Sequence, residues 1–540
     1  MDIKIKTKKI DILILGAGIA GLEAAYEASK TNNSIAVLYK GSTASDKVLG
    51  FNANVSEDDS IDKYFEDTIK GGGELPNKDV VKTLVEKSKA AVSQMEDLGL
   101  EFDKIADKEE KYSLLKPLGC SEARLVHSGN ETGRRTIAIL KKLLTAKGVL
   151  FWGDMMAGSL IKSEDKIAGA IALNKKEESI WVVYAKAVIV ATGGGHLMDR
   201  STYPISMTAD GYAMAYRAGA KLVDMEFIQH EPCNAVFPKS LGISTTLLAK
   251  GGTLKNKKGE RFVLNEYEGE YAVSKDSLSR MIALEIVQGR GTKHSGVYLD
   301  LTDLPEDEIK ERHSLYYKRF LEAGIDISKE VVEVAPIAHS MMGGIEIAPN
   351  TSTEVPGLFA SGEVTGGIHG ANRVGGNAGT EIYVFGAIAG ESAAKYADKN
   401  KKNKIDKQNA SDILDMIDKR FEIADDQGDI DKYKEEIKNI MSKYMSPIRE
   451  EKGLKTAIKE LKNIGDSLNQ VKFKTFADIY LWFEANNMQL VSELACRAAL
   501  ERQESRGVHF RTDYPNTDNE NWKKNICFSD KKGMEIIDIK

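Results

Sequence analysis

Six residues near the amino terminus, Gly16-Ala17-Gly18-Ile19-Ala20-Gly21, have the types and spacing to hold a pyrophosphate. In a GxGxxG turn from strand to helix, the first glycine makes the bend. The second lets phosphate approach the backbone, and the third lets the helix pack closely on the strand. The helix start supplies free N–H groups and partial positive charge to the anion. Such chemistry is dinucleotide binding. A second strand of this kind usually ends in an acidic residue for ribose hydroxyls, but here Tyr39-Lys40-Gly41 offers no carboxylate. Generic NAD binding fits that tip poorly, whereas FAD, whose adenosine backbone groups can hold, remains compatible.

The motif works only if its neighbours are the right elements. Asp11–Leu15 is a short apolar run meeting glycine at once and reads as a buried parallel strand. Residues 19–29 carry alanines and leucine at helical spacing, and Ser34–Tyr39 reads as the next strand, completing a βαβ unit. Val81, Leu84, Val85, Val92 and Met95 then mark a long amphipathic helix, with Asn77 as N-cap and Gly99 as its stop. Ile167–Ala172 and Trp181–Ala191 are strand-rich and end in Thr192-Gly193-Gly194-Gly195. Mixed short elements follow from Glu226 to Ala335, and strand-like runs return at Gly343–Ile347 and Leu358–Ala360. Asp398–Ser411 reads as a lysine- and asparagine-rich linker. Asp412–Glu504 is helical by periodicity, and Ser505–Lys540 reads as an irregular tail.

Composition narrows the class. The chain has 540 residues, and its 42% hydrophobic content suffices for a large core, which excludes wholesale disorder. Against 81 acidic side chains stand 75 basic ones, for a net charge of −6, so no basic excess exists to coat a nucleic acid. The four cysteines, Cys120, Cys233, Cys496 and Cys527, lie far apart without a CxxC pair. That spacing encodes neither a zinc site, nor an iron–sulfur cluster, nor a disulfide framework. No apolar signal core or membrane-length apolar run occurs, so a cytoplasmic protein without a membrane span is expected. No metal site is expected either.

Later motifs go further. Gly357-Leu358-Phe359-Ala360-Ser361-Gly362-Glu363, with the run Gly366-Gly367-Ile368-His369-Gly370-Ala371-Asn372-Arg373-Val374-Gly375-Gly376-Asn377, strongly resembles the fumarate reductase and succinate dehydrogenase flavoprotein family. That family includes L-aspartate oxidase and the soluble flavocytochrome fumarate reductases. Supporting matches are 127–133 (HSGNETG), 224–229 (DMEFIQ), 339–345 (HSMMGGI) and 504–509 (ESRGVH), so the resemblance spans nearly the whole chain. It implies an α/β fold: a Rossmann-like FAD-binding domain in two parts (1–228 and 336–400), an inserted α+β capping domain (229–335), a helical domain (401–504) and a tail (505–540). It also implies cofactor contacts from Gly16, Gly18, Gly21, Tyr39, Lys40, Ser42, Asn52, Thr192, Gly193, Asp210, Glu363, Arg373, Gly376 and Asn377. Within that set, Glu363 would hold ribityl or ribose hydroxyls, and Asn377 with neighbouring backbone would approach the flavin pyrimidine edge. Many members attach the flavin to a histidine soon after the second strand; Gly41–Lys47 contains none, so noncovalent FAD is expected.

Reducing an alkene beside a carboxylate needs a hydride source, a proton donor across the double bond and cations for the carboxylate. The resemblance gives Arg373 the cation role, which its always-charged, bidentate guanidinium suits, and gives His339 a second hydrogen bond to substrate. His369 is expected to orient the loop or the flavin. The departures matter as much. Glu231 stands where the family's substrate histidine is expected, with His230 one position earlier and on the opposite face of an extended segment. The family's threonine–glutamate pair has no glutamate in 244–252 (STTLLAKGG). Lys275 takes the place of the proton-delivering arginine, while Arg280 matches downstream. Glu231 could repel a second substrate carboxylate, engage a substrate ammonium, or pair with Lys275.

These features point to an FAD-dependent oxidoreductase acting on a carbon–carbon bond next to an activating group, with a substrate other than fumarate or succinate carrying at least one anionic or electron-withdrawing end. The alternatives are amine oxidation of the L-aspartate oxidase kind and an electron-transfer flavoprotein subunit. Without its own cluster, the chain would draw electrons from an iron–sulfur partner, a diffusible reductant or dioxygen.

Overall fold

The computed structural model describes residues 3–539 except 107, 118, 239, 240, 244, 245, 250, 271, 272, 401–406 and 424–427. The segment expected to carry the threonine–glutamate pair lies partly outside the described residues.

A large sheet forms the frame. Its strands run in the order Leu150–Trp152, Ile35–Leu38, Lys4–Leu15, Ser179–Val190, Lys166–Asn174 and Met155–Ser163, with Leu358–Ala360 also pairing with Ser179–Val190. Lys4–Leu15 is parallel to both of its neighbours, while Lys166–Asn174 returns antiparallel. The residues Ile12–Leu15 and Ile35–Leu38 are wholly buried, with Ile12, Ile14, Ile35 and Val37 in one core cluster and Leu13, Leu15, Ala36 and Leu38 in another, which is why they read as unbroken apolar runs. Helix Ile19–Ala28 packs on helix Asn377–Lys399, where Gly386 and Gly390 let the backbones approach. The first strand starts at Lys4 rather than Asp11: its lysine-rich half pairs with Ser179–Ala185, and Lys6 and Lys8 lie over the Trp181 ring.

A second core, containing Leu247, Leu254, Ile282, Leu299 and Phe320, belongs to the intervening segment. Its sheet orders Ile228–Phe237, Val332–Met341, Val297–Asp300 and Thr253–Lys255, with helix Lys275–Val287 packed against the first two. The strands that enter and leave this segment are therefore paired with each other, and their near ends meet the glycine-rich loop that precedes Asn377.

Helices Ile430–Tyr444, Glu451–Leu468 and Phe476–Glu501 pack together, the last opened by a Thr475–Asp478 capping box. The expected linker is shorter than its composition suggests, since one helix runs to Lys399 and the next begins at Gln408. The reading of 505–540 as irregular is corrected as well. Lys524–Ser529 and Gly533–Asp538 form a hairpin that joins Leu222–Val223, and Asn525 donates to the buried Asp224 at 2.7 Å. That buried partner strand is what orders so short a pair.

Candidate active site

The turn at 16–21 has no room for larger residues. A Cβ on Gly16 would stand 2.1 Å from the Ala191 carbonyl oxygen, and one on Gly21 would stand 2.0 Å from that of Gly16. Gly18 faces Thr43 and Ser45, and Ser45 Oγ accepts from the Ile19 N–H at 3.2 Å. Helix Ile19–Ala28 has no cap from its own N-cap residue, Gly18, and no acidic residue in its first turn, so beyond the Ser45 contact its positive end is left for an anion. Nearby, Gly193 adopts φ +70°, and the buried Thr192 Oγ1 has no protein partner among the described residues. These are features a dinucleotide diphosphate would fill, and FAD fits them.

The segment 44–50 that closes over this turn is buttressed from 127–133. Thr132 Oγ1 donates to the Leu49 carbonyl at 2.5 Å, and a Cβ on Gly133 would strike the Ser45 carbonyl. Tyr39 is fixed through its backbone to Trp152 and Met155, with its ring against Gly153. Ser42 is exposed. Lys40 and Asp210, both implied cofactor contacts, are already engaged. Lys40 Nζ lies 3.1 Å from Asp210 and 2.7 Å from Glu484, tying the tip of the second strand to helix Phe476–Glu501.

Two implied flavin contacts have other duties. Asn377 accepts from Asn52 at 2.8 Å and from the Tyr64 hydroxyl at 2.9 Å, and donates to Thr68 at 3.0 Å. Its carboxamide is thus turned into the protein, and only neighbouring backbone is left for a ligand. Asn52 also donates to the Gly375 carbonyl, and Gly376, with φ +85°, lies against it. Glu363 accepts from the Tyr203 hydroxyl and from the Met341 N–H, and burial raises its pKa. His369 pairs with Glu381 at 2.9 Å, and Glu381 also accepts from Thr365, which fits its expected part as a loop-orienting residue.

The opposing wall is irregular where it matters. Gln229 pairs with Ser340 and His230 with Ala338, so His339 is an extra residue in its strand. A bulge of this kind bends the strand and re-aims its side chain. His339 Nδ1 lies 3.1 Å from Thr202 Oγ1. Burial, then the nearby Arg373, Lys275 and Lys47 charges, hold its pKa well below the usual value, so the imidazole is neutral. His230 is also neutral, its pKa lowered to about 3 by burial and by Arg449.

Glu231 and Lys275 meet. Lys275, the first residue of its helix, places Nζ 2.6 Å from Glu231 Oε2, while Glu231 Oε1 is buried without a partner among the described residues. Arg280 lies elsewhere on the same helix, over the Phe510 ring at 4.9 Å.

Arg373 is held by a chain of amides that the sequence motifs alone do not single out. Its Nη2 donates to Gln229 Oε1 at 2.9 Å, and Gln229 donates in turn to Asn372 at 2.8 Å. Asn372 donates to Asp276 at 3.1 Å, so the inserted segment's helix reaches the arginine loop. Arg373 Nε is buried and unpartnered among the described residues. Gln229 and Asn372 sit inside the family-like motifs, which was the available signal; Thr202, Tyr203 and Asp276 carried none. The motifs at 224–229 and 504–509 meet in a buried charge cluster, where Arg502 binds Glu226 at 2.7 Å and Glu504 at 3.1 Å.

A glycine cradle for a dinucleotide, together with a half-buried arginine in the glycine-rich loop before Asn377, is the arrangement of a flavin-dependent oxidoreductase. Residues 11–378 match the FAD binding domain family, and residues 434–540 match the family described as fumarate reductase flavoprotein C-term. An uncharacterized FAD-dependent oxidoreductase of Methanocaldococcus jannaschii is 38% identical, with 97% of each chain covered. A fumarate reductase (CoM/CoB) subunit of Methanothermobacter marburgensis is 33% identical, with 98% of each chain covered. Among solved structures, Mycobacterium smegmatis Sdh1 superposes with a TM-score of 0.89 at 32% identity, covering 99% of this chain and 94% of that one. The chain belongs to the fumarate reductase and succinate dehydrogenase flavoprotein family and is an FAD-dependent oxidoreductase.

Proposed function

We propose that the enzyme adds hydrogen to, or removes it from, a carbon–carbon bond beside an electron-withdrawing group, on a substrate other than fumarate or succinate. The observation that carries this reading is Arg373: a half-buried guanidinium, anchored on one side by Gln229, with its Nε unpartnered among the described residues. A substrate carboxylate is the group such a fork binds bidentately. FAD, held by the turn at 16–21, supplies or takes the hydride when bound. His339, neutral, donates or accepts one hydrogen bond and leaves the charge recognition to Arg373. Lys275 holds the proton for the carbon across the bond, and Glu231 fixes its ammonium in place. Because Glu231 already has a cation, it is less suited to a substrate ammonium, which favours this reading over amine oxidation.

Stopped-flow reoxidation of the reduced holoenzyme against unsaturated acids, amides and imines tests the reaction class. Alkene-dependent reoxidation with a saturated product supports it; ammonia released from an amino acid would favour the alternative. Lys275→Met should slow turnover by about a hundredfold or more, and Arg280→Met far less. The reverse ranking would move proton delivery to Arg280.

We also read the FAD as noncovalent, since no histidine occurs in 41–47. Acid precipitation should leave free FAD in the supernatant; colour kept on the denatured protein would contradict this. The Methanothermobacter relative is named as one subunit of its enzyme, which supports an electron-transfer partner for this chain. No helix among the described residues is long and apolar enough to cross a membrane.

A further inference from the structure

The charges around the cleft can be counted. Arg373 contributes one positive charge, with Glu363 and Glu231 among the anions that act on it. Lys275 and Glu231, 2.6 Å apart, cancel. His339 and His230 are neutral, and Lys47 is an exposed residue whose Nζ donates to the Thr202 carbonyl at 3.2 Å. Among the described residues, Arg373 is the half-buried cation of this set without an ion pair, so one end of a substrate meets it. A second carboxylate would arrive at a lysine whose charge is already balanced, beside an anion that repels it. An ammonium would arrive beside Lys275 and compete for an occupied Glu231. In a partly desolvated cleft either mismatch is costly.

We propose that the substrate carries a single carboxylate, bound by Arg373, and at its other end a neutral carbonyl group, best a carboxamide, bound by the Lys275–Glu231 pair. This rests on the carbon–carbon reading above. Lys275 is the accessible member, its side chain 26% exposed against 11% for Glu231, and one hydrogen bond to Glu231 leaves its other N–H groups for an acceptor. A carbonyl oxygen takes that hydrogen bond without bringing charge, and its polarisation withdraws electrons from a conjugated double bond. Glu231 Oε1 is closed to solvent, so the oxygen a substrate N–H would meet is Oε2, which keeps a lone pair beside Lys275. A carboxamide places such an N–H beside its carbonyl oxygen, which neither a ketone nor an ester does. The pair thus reads a group that offers acceptor and donor side by side.

The test compares half-amides with diacids on the holoenzyme. In equilibrium binding to the oxidised form, followed by the flavin absorbance change, succinamate should bind at least about tenfold more tightly than succinate. Glu231→Gln uncovers the Lys275 charge and should shift that ratio toward succinate by about tenfold or more. In turnover, fumaramate should reoxidise the reduced enzyme faster than fumarate, taking up one hydride and one proton to give succinamate while the reduced flavin returns to its oxidised form. Succinate binding at least as tightly as succinamate in the wild type, a comparison that needs no variant, would overturn the assignment even if fumarate is reduced. Tight succinamate binding without reoxidation by either alkene would instead overturn the carbon–carbon reading and leave the charge assignment standing.

Discussion

The turn at 16–21 and the wall formed by Glu231 and Lys275 are constrained in different currencies. At the turn the constraint is space. Ala191 and Gly16 carbonyls stand where side-chain carbons would be, so the backbone itself forbids substitution. At the wall the constraint is charge balance. Lysine stands where the family resemblance leads one to expect arginine, and glutamate where it leads one to expect histidine, and the two pair with each other. A sterically closed site tolerates no added side chain, whereas a charge-balanced site can discriminate between ligands by repelling one as well as attracting another.

The sharpest break in that comparison is Gly21→Ala. Its new methyl would lie 2.0 Å from the Gly16 carbonyl, and no rotamer can relieve a backbone contact. The variant should lose FAD almost completely, read as visible flavin absorbance per protein after reconstitution. Retention of normal flavin content would mean that the turn can open, and that space is not what fixes it. Arg373→Lys tests the facing side with a smaller effect. The charge survives but the fork does not, so FAD should stay bound while turnover of the carboxylate substrate falls by about a hundredfold. Loss of flavin together with activity would make Arg373 a cofactor residue first.

The same contrast explains what could be read from the chain alone. The turn was legible because its requirements are local: strand, glycines and helix follow one another within a few residues. The class of the enzyme was legible because whole motifs survive. What stayed hidden depends on partners distant in sequence. Asn377 belongs to a network with Asn52, Tyr64 and Thr68, so its carboxamide never reaches a ligand. Glu363 is bound by Tyr203 and Met341. The bulge at His339 exists only in the register against 228–237, which no single strand encodes. Even the pairing of Glu231 with Lys275 could be raised only as one of several outcomes, because a strand and a helix start must first be brought together.

An effect on stability with little on activity sharpens the comparison through two buried carboxylates. Glu231, at the wall, has a lysine; Glu23, on the helix behind the cradle, accepts only from the Gln94 amide at 3.1 Å and has Oε1 unpartnered among the described residues. Burial, reinforced by Glu27, raises the Glu23 pKa from its ordinary 4.5 to about 8. The folded protein therefore keeps this proton at pH values where the unfolded chain has lost it. Below about 4.5 the folded state carries no penalty from Glu23; between there and about 8, stability attributable to this residue falls by about 1.4 kcal/mol per pH unit. Glu23→Gln removes the titration, so its melting temperature relative to wild type should rise steadily from pH 5 to pH 8, with activity little changed. A difference that stays flat over that range would mean that Glu23 finds a cation or water in solution, and that the cradle side, like the wall, balances its charges.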